Sequence, residues 1–288
     1  FCIIYARRLG KLLGAKRSYS ADARLKQVVI DQIDCDIPRT VGRDYELSSA
    51  LGVTRSMLLR HAGEDPELAY CQGMNYVGAV FAIACCSQDE AYARFGAFLK
   101  RLRGLWLPGF PLLATLSAHF EALADARPWF QHLRKHGVDP DMYLPQAFMA
   151  LFAAWLPLST RVLMLPQWES RGVPGLLAVA LAVMDDQGSQ ILQQGDMDGV
   201  LGALRGLRDR APDIVALNAA VEVWLPQAED QARRRVSPLQ HHLPKLMRQG
   251  SRVLDSRGRE TFSDCKPKRL SAVWGRRKTV QAMRDRSH

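Results

Sequence analysis

The sequence predicts an all-α fold of many packed helices, followed by a basic C-terminal tail. Apolar residues recur at spacings of three and four, the period of helices that bury one face. Strand-like alternation is scarce, and proline and glycine mark inter-helix loops at 107–111, 136–141 and 171–175. With 48% hydrophobic residues, the 288-residue chain can bury the core of one large domain or of two small ones.

The first helix is predicted over the residues that precede Pro38. Apolar residues in this stretch follow one helical stripe: Leu25, Val28, Val29 and Ile33. Ser20 or Asp22 is expected to cap the start, because such side chains accept hydrogen bonds from the first free N–H groups. Pro38 is expected to end the helix or open its last turn, since proline pushes the preceding residue towards extended geometry. Arg39 would then lie just past the helix end and project outward.

A second informative segment is the buried helix predicted over residues 76–86. This stretch, YVGAVFAIACC, is apolar on nearly every side, which is typical of a helix buried all round. Asp65 and Pro66 resemble a helix cap followed by a proline in the first turn. Residues 72–75 stand at the entrance to the apolar run. A side chain held at such an entrance keeps its geometry better than one on a mobile loop.

Two short motifs carry the functional signal. IDCDIPR at 33–39 fits the pattern I-x-x-D-x-x-R, and YCQGMNY at 70–76 fits Y-x-Q, which makes Arg39 and Gln72 the candidate functional residues. A guanidinium is a planar, permanently charged fork suited to phosphate oxygens. A primary amide can donate to one oxygen while it accepts from another. An isolated arginine or glutamine near a helix end is usually a solvated or capping residue, but the two motifs in this order are far more specific.

In these residues the chain resembles the TBC domain, the module that activates Rab-family GTPases. The resemblance covers residues 20–230 and implies an all-α TBC-type domain that lends its partner Arg39 as an arginine finger and Gln72 as a glutamine finger. GTP hydrolysis spreads negative charge over the γ-phosphoryl oxygens and needs an oriented, in-line water. Supporting or positioning roles are implied for seven neighbouring residues: Ile33, Asp36, Thr40, Tyr70, Gly73, Met74 and Asn75.

The resemblance continues along the later part of the chain, with one mild departure. Trp168-Glu169 before Gly172 matches a family feature that more often reads tryptophan-aspartate. Residues 175–185 and 195–207 fit the next two helices of the family. The later region therefore supports the same domain.

Another departure keeps an alternative function open. Val41-Gly42 follows Arg39 and Thr40, where many members of the family carry an aromatic residue and a proline. The alternative is a catalytically silent TBC-like scaffold that binds a GTPase or a membrane without accelerating hydrolysis. Intact Arg39 and Gln72 favour the activator, because a scaffold needs neither.

An activator of this kind performs no chemistry on a substrate of its own. The resemblance implies that GTP and Mg²⁺ belong to the partner, a Rab-family GTPase in its GTP-bound state, and that the chain has no cofactor. Apparent nucleotide and metal motifs are incomplete. Residues 10–16 lack the spacing of a phosphate loop, position twelve of a calcium-like loop is Leu207, and His132 and His136 lack the glutamate of a zinc protease.

Positive charge is concentrated in the C-terminal tail. Residues 231–288 contain 16 lysines and arginines against 4 acidic residues, a net charge of +12. Because the whole chain carries +10, residues 1–230 carry −2. We expect the tail to be disordered or partly helical. Attraction to an anionic membrane surface is favoured over nucleic-acid binding, and a solvated linker without a ligand remains an equal alternative.

The N-terminal residues, the cysteines and the lengths of the apolar runs indicate the cellular location of the protein. Residues 1–19 lack an initiator methionine and are interpreted as the flank of a longer chain, with an amphipathic membrane-surface helix as the alternative. Six cysteines show neither metal nor disulfide spacing, which suits a reduced cytosolic setting. No apolar run approaches the roughly 18 residues of a membrane span. With a Rab-like partner, these features predict a cytoplasmic protein peripheral to endomembranes.

Overall fold

The computed structural model describes residues 19–42 and 45–234, and every regular element in these ranges is helical. The first six α-helices are α1 Tyr19–Val41, α2 Leu51–Glu64, α3 Met74–Ala84, α4 Gln88–Arg101, α5 Pro111–Ala124 and α6 Pro128–Lys135. The next six are α7 Leu144–Phe148, α8 Leu158–Arg171, α9 Val173–Asp186, α10 Gly188–Leu192, α11 Met197–Arg205 and α12 Ile214–Arg233. Short 3₁₀ helices lie at Tyr45–Ala50, Arg103–Leu105, Pro140–Met142 and Arg208–Arg210. The predicted all-α class is confirmed.

The chain divides into two compact units, residues 1–242 and 243–288, and all described residues belong to the first. The basic tail beyond Arg234 and the flank before Tyr19 lie outside the described residues. The domain boundaries at 20 and 230 stay predictions. Of the described helices, none combines the length and the apolar character needed to cross a membrane.

Two helices buried on nearly all sides form the centre of the fold. Helix α9 has ten consecutive buried residues from Gly175 to Met184, and it packs against α5, α8 and α12. Helix α3 is buried from Met74 to Phe81 except at the partly exposed Tyr76, and it packs against α1, α2, α4 and α8. Apart from Asn75 and Tyr76 in α3 and the aspartates that end α9, both sequences are apolar on every face, so either helix at a surface would expose apolar area to water.

The later helices and loops occur where the sequence predicts them. The segment predicted at 175–185 is α9, and the one at 195–207 contains α11. Proline and glycine at 107–111 precede α5, and those at 136–141 follow α6. The tightest connection is Gly172, which alone separates α8 from α9 with a φ of +59°. Glycine adopts this left-handed region without steric cost.

Helix α1 differs from its prediction at both ends. It begins at Tyr19, so Ser20 and Asp22 lie in its first turn and do not precede it. It also continues through Pro38 and ends at Val41.

The helix passes Pro38 because the backbone bond that proline removes can be replaced. That bond would run to the carbonyl of Asp34, and both residues are exposed, so water can satisfy the carbonyl. On the buried face, the hydroxyl of Thr40 donates to the carbonyl of Asp36 at 2.9 Å and supports the last turn. Arg39 consequently lies in the last helical turn and not past it.

Asp65 and Pro66 begin a turn and not a helix. Asp65 follows the end of α2, and its carboxylate accepts a bond of 3.1 Å from the N–H of Leu68. That carboxylate also accepts from Arg103 at 2.7 Å. One turn closes with a bond of 2.7 Å from the N–H of Ala69 to the carbonyl of Asp65. The chain leaves helical geometry at Ala69, whose φ is +49°, and α3 begins only at Met74.

The glutamate that departs from the family pattern joins two helices. Glu169 accepts from Nε of Arg94 at 3.0 Å and from its NH2 group at 2.6 Å, a two-bond fork between α8 and α4. The neighbouring Trp168 is buried, with its ring stacked on Phe152 at a centroid distance of 5.4 Å. Glu169 therefore links α8 to α4, two helices that both pack against α3.

Candidate functional site

Arg39 projects from the last turn of α1. Its side chain is 68% exposed, and its NH1 group donates to Oδ1 of Asp36 at 3.3 Å. The two residues are three apart on one helix, a spacing that places side chains next to each other. The bond limits the directions in which the guanidinium can point, while most of the side chain stays in contact with solvent.

Asp36 is the buried centre of the site, with 1% of its surface exposed. Its Oδ2 accepts from the hydroxyl of Tyr70 at 2.9 Å and from Nε2 of Gln32 at 3.0 Å. Its Oδ1 accepts from Arg39. A carboxylate can be buried only when such donors replace its lost water. Asp36 therefore ties the motif at 33–39 to the motif at 70–76.

A second chain of hydrogen bonds joins the end of α1 to the start of α3. Nδ2 of Asn75 donates to the hydroxyl of Thr40 at 2.8 Å, and the hydroxyl in turn donates to the carbonyl of Asp36. Oδ1 of Asn75 accepts from the N–H of Gly73 at 3.0 Å. Both polar side chains are 1% exposed. A buried polar group that loses its partner costs about 1–3 kcal/mol, so this chain strongly restricts how the two helix ends can move.

Gly73 is held against the polypeptide that follows α7. Its φ is +111°, and a Cβ built there would lie 2.5 Å from the carbonyl oxygen of Met149. Real Cβ atoms do not approach a carbonyl so closely, so only glycine fits. The same carbonyl accepts from Nε1 of Trp106 at 3.2 Å, which holds it in place.

Gln72 lies half-buried in the turn immediately before α3. The N–H of Cys71 donates to Sδ of Met74 at 3.2 Å, and the N–H of Met74 donates back to the carbonyl of Cys71 at 3.1 Å. Together with the contact at Gly73, these bonds fix the backbone on both sides of Gln72. The glutamine is therefore presented by a rigid turn, as the sequence predicts.

Two residues of the site were missed by sequence reasoning. Gln32 supports Asp36 from one turn earlier in α1, and the i, i+4 spacing of the two residues could have indicated this bond. Tyr76, the last letter of the second motif, places its hydroxyl 3.5 Å from the carbonyl of Arg39. A phenol in an otherwise apolar helix is the signal that could have identified it.

The charges around Tyr76 come from several elements. Burial raises the pKa of the Tyr76 hydroxyl, and the charge of Asp36 adds to the rise. Three guanidinium charges oppose it: Arg161, Arg39 and Arg208. The hydroxyl thus lies within electrostatic range of cations from α1, from α8 and from the 3₁₀ helix after α11.

The structure brings most of the predicted residues into one connected group. Asp36, Arg39 and Tyr70 meet at the buried carboxylate, and the bonds of Thr40, Asn75 and Gly73 join that group to α3. Ile33 and Met74 are fully buried, so neither side chain is exposed to a visiting protein. The roles assigned to Arg39 and Gln72 remain predictions.

The histidines excluded as a zinc motif have structural partners. The rings of His132 and His136 lie 4.4 Å apart between centroids, and Nε2 of His132 is 2.8 Å from the carbonyl oxygen of Gln194. Within residues 19–42 and 45–234, no group of three or more His, Cys, Asp or Glu side chains could hold a metal ion.

Comparison with known proteins gives one family. Residues 13–192 match the family described as the Rab-GTPase-TBC domain. The chain is 30% identical over 149 residues to "Rab GTPase-activating protein tbc-11" of Caenorhabditis elegans, a match that covers 49% of this chain and 15% of that protein. It is 29% identical over 124 residues to "GTPase-activating protein GYP5" of Saccharomyces cerevisiae, which covers 42% of this chain and 14% of that protein. These matches span less than a fifth of the relatives' length.

Solved structures show the same fold. The "Ypt/Rab-GAP domain of Gyp1p" superimposes with a TM-score of 0.59 at 15% identity, covering 79% of each chain. The "Chlamydomonas flagellar RabGAP TBC domain" gives a TM-score of 0.53 at 18% identity, covering 75% of this chain and 76% of that one. At these identities the likeness concerns the architecture of the helices alone.

Proposed function

This chain belongs to the Rab-GTPase-TBC domain family, and from that membership we propose that it accelerates GTP hydrolysis by a Rab-family GTPase. Arg39 and Gln72 are the two side chains that it supplies to the partner's active site. The observation that carries the proposal is their presentation: an exposed guanidinium and a half-buried amide, each next to a buried hydrogen-bond network that joins α1 to α3.

Arg39 neutralises the charge that develops on the phosphoryl oxygens. A guanidinium can contact two oxygens at once and stays charged at any physiological pH. Its bond to Asp36 orients it without burying it, which lowers the rotational entropy that is lost when the partner binds. Such an arginine accelerates hydrolysis by about 10³–10⁵-fold in related chemistry.

Gln72 orients the attacking water. Its amide can accept a hydrogen bond from that water and donate one to a phosphate oxygen. The turn that carries it is fixed by the contact between Gly73 and Met149. A displacement of about 1 Å in such a group can cost about a hundredfold in rate, and the rigid turn guards against this loss.

The partner is a Rab-family GTPase in its GTP-bound state, which brings GTP and Mg²⁺ with it. A Rab works at membranes, and the basic tail from residue 231 would draw the activator to the same anionic surface. On these grounds we propose that the protein acts in the cytoplasm, at the periphery of endomembranes.

The proposal is tested by single-turnover hydrolysis with a panel of purified, GTP-loaded Rab proteins. We expect the wild-type chain to accelerate at least one of them. Arg39→Ala and Arg39→Lys should lower that acceleration by about a thousandfold, and Gln72→Ala by about a hundredfold.

Matched controls are Arg60→Ala, an exposed arginine that pairs with Glu64 on its own helix, and Gln88→Ala, a glutamine at the start of α4. Both should retain wild-type activity. Full activity in Arg39→Ala or Gln72→Ala would contradict the assigned roles. Binding to a Rab without acceleration would instead identify a scaffold.

A further inference from the structure

Three arginines outside the candidate site are held by carboxylates through two-bond forks. In each pair the guanidinium donates to both carboxylate oxygens, and the shorter bond measures 2.6 or 2.7 Å. A fork of this kind is a strong and geometrically specific contact. The side chains of these arginines are 27–44% exposed. The pairs are Arg55 with Asp34, Arg94 with Glu169 and Arg103 with Asp65.

Arg39 is held differently. It donates to Asp36 through one bond of 3.3 Å, and 68% of its side chain is exposed. Asp36 is almost completely buried, so water competes little for its oxygens and a firm fork would be expected. The contact is therefore looser than the burial of this carboxylate predicts.

The second oxygen of Asp36 explains the single bond. Oδ2 already accepts from the hydroxyl of Tyr70 at 2.9 Å and from Nε2 of Gln32 at 3.0 Å. An ionised carboxylate oxygen offers about two lone-pair positions, so these two donors fill it. The guanidinium of Arg39 is left with Oδ1. Tyr70 belongs to the second motif, whereas Gln32 precedes the first motif and lies outside both.

We infer that Gln32 is a positioning residue, which keeps Arg39 available to the GTPase by occupying Oδ2 of Asp36. The inference rests on the proposed function. Without the Gln32 amide, Oδ2 has room for a second bond from the guanidinium, and Arg39 closes the kind of fork that holds Arg55. An arginine in such a fork must break a charge-assisted bond before it can reach a phosphate oxygen. Gln32 therefore acts through Arg39.

The first test is single-turnover hydrolysis with a GTPase that the wild-type chain accelerates, measured over a range of chain concentrations. Gln32→Leu keeps the bulk of the side chain and removes its donor. It should lower the maximal rate by about tenfold, because one added charge-assisted bond is worth about this factor. The half-saturating concentration should stay unchanged, since the arginine acts in the transition state. Gln32→Glu keeps the shape but offers the guanidinium a second carboxylate, so its loss should be at least as large.

Gln27→Leu is the matched control. Nε2 of Gln27 donates to Oδ1 of Asp31 at 2.8 Å, the same pair of residue types at the same spacing on the same helix. Both of these residues are exposed. This variant should match the wild type in maximal rate and in half-saturating concentration.

The second test needs no GTPase. Phenylglyoxal reacts with accessible guanidinium groups, and peptide mass spectrometry measures the reaction at each arginine. In Gln32→Leu, Arg39 should react about tenfold more slowly than in the wild type, because the fork holds it against Asp36. Arg60, an exposed arginine that pairs with Glu64, is the internal reference and should react equally in both chains. A role of Gln32 in packing alone would leave the reaction of Arg39 unchanged.

Either test can overturn the inference. An unchanged maximal rate in Gln32→Leu and Gln32→Glu, or an unchanged reaction of Arg39, would do so, with thermal unfolding as the check that each variant is folded at the assay temperature. A wild-type chain that accelerates no GTPase would refute the proposed function. That result is separate, because the phenylglyoxal reaction reports on the restraint of Arg39 by itself.

Discussion

Asp36 joins two motifs that lie far apart in the sequence. Its carboxylate accepts from Gln32 in its own helix, from Tyr70 ahead of α3 and from Arg39 in the last turn. Its nearly complete burial makes each of these bonds more valuable than an exposed one, because water cannot replace a lost donor. On the proposed function, the aspartate in the first motif is therefore a positioning residue and not a contact for the partner.

We expect any substitution of Gly73 to destabilise the fold. Gly73→Ala should lower the free energy of unfolding by about 1–3 kcal/mol, because its Cβ would overlap the carbonyl of Met149. It should also lower GTPase stimulation, since the backbone must shift next to Gln72. Chemical denaturation and single-turnover hydrolysis measure the two effects.

Gly52→Ala is the matched control for that substitution. Gly52 lies within α2, and a Cβ there meets nothing within 4 Å. Alanine in a helix is favoured over glycine by about 0.5–1 kcal/mol, so this variant should be slightly stabilised and fully active. Equal stability of the two alanine variants would contradict the close contact at Gly73.

The sequence identified the residues of the site that lie inside local motifs. Arg39, Gln72 and Asp36 could be predicted because their spacing along the chain is itself the signal. The contact of Tyr76 with Arg39 could not be predicted in the same way. It depends on how α3 packs against α1, which no short pattern encodes.

At the scale of elements, the joint between α1 and α3 determines the site. The hydroxyl of Thr40 accepts from Asn75 and donates to the carbonyl of Asp36, so one side chain serves both helices. Packing of α1 against α3 alone would leave rotation about the helix axis less restricted. Directional bonds restrict it.

Thr40→Val tests this joint. It keeps the shape of the side chain and removes both bonds, so we expect a loss of about 1–3 kcal/mol in stability and a clear loss of GTPase stimulation. Thr54→Val is the control. Thr54 is equally buried, and its hydroxyl donates at 2.8 Å to the carbonyl of Ala50, four residues earlier in the chain, so this bond does not join two distant helices. It should lose stability and keep activity per folded molecule. Equal activity losses in the two variants would argue against a specific role for the joint.

Element boundaries were the weakest part of the sequence prediction. The sequence located the cores of α3, α9 and α11, because continuous apolar patterns outweigh local detail. It ended α1 too early at Pro38, since the hydroxyl of Thr40 supports the last turn through the carbonyl of Asp36 and is itself held by Asn75 of α3. It also predicted a helix cap at Asp65. The carboxylate of Asp65 instead accepts from the N–H of Leu68 in a single turn and from the side chain of Arg103.

At the scale of the whole molecule, charge separates the chain into two parts. Residues 1–230 are close to neutral and contain the candidate site, whereas residues 231–288 carry +12. This separation motivates a proposal of two tasks, in which the first part acts on the GTPase and the second brings the protein to an anionic surface.

Removal of residues 235–288 tests that division. The shortened chain should keep its single-turnover activity in solution and lose binding to vesicles that contain anionic lipid, while binding to neutral vesicles stays negligible for both chains. Vesicle co-sedimentation at low and at physiological salt measures the loss, because attraction between exposed charges weakens as salt rises. Stronger retention on RNA than on anionic vesicles would contradict the lipid assignment.

The close contact between Gly73 and the carbonyl of Met149 has a kinetic consequence. The carbonyl that occupies the space of a missing side chain is anchored by Trp106, which restrains the backbone next to Gln72. On the proposed function, the activator meets its partner with this turn already formed. Association should then proceed in a single phase, with no lag for refolding of the turn.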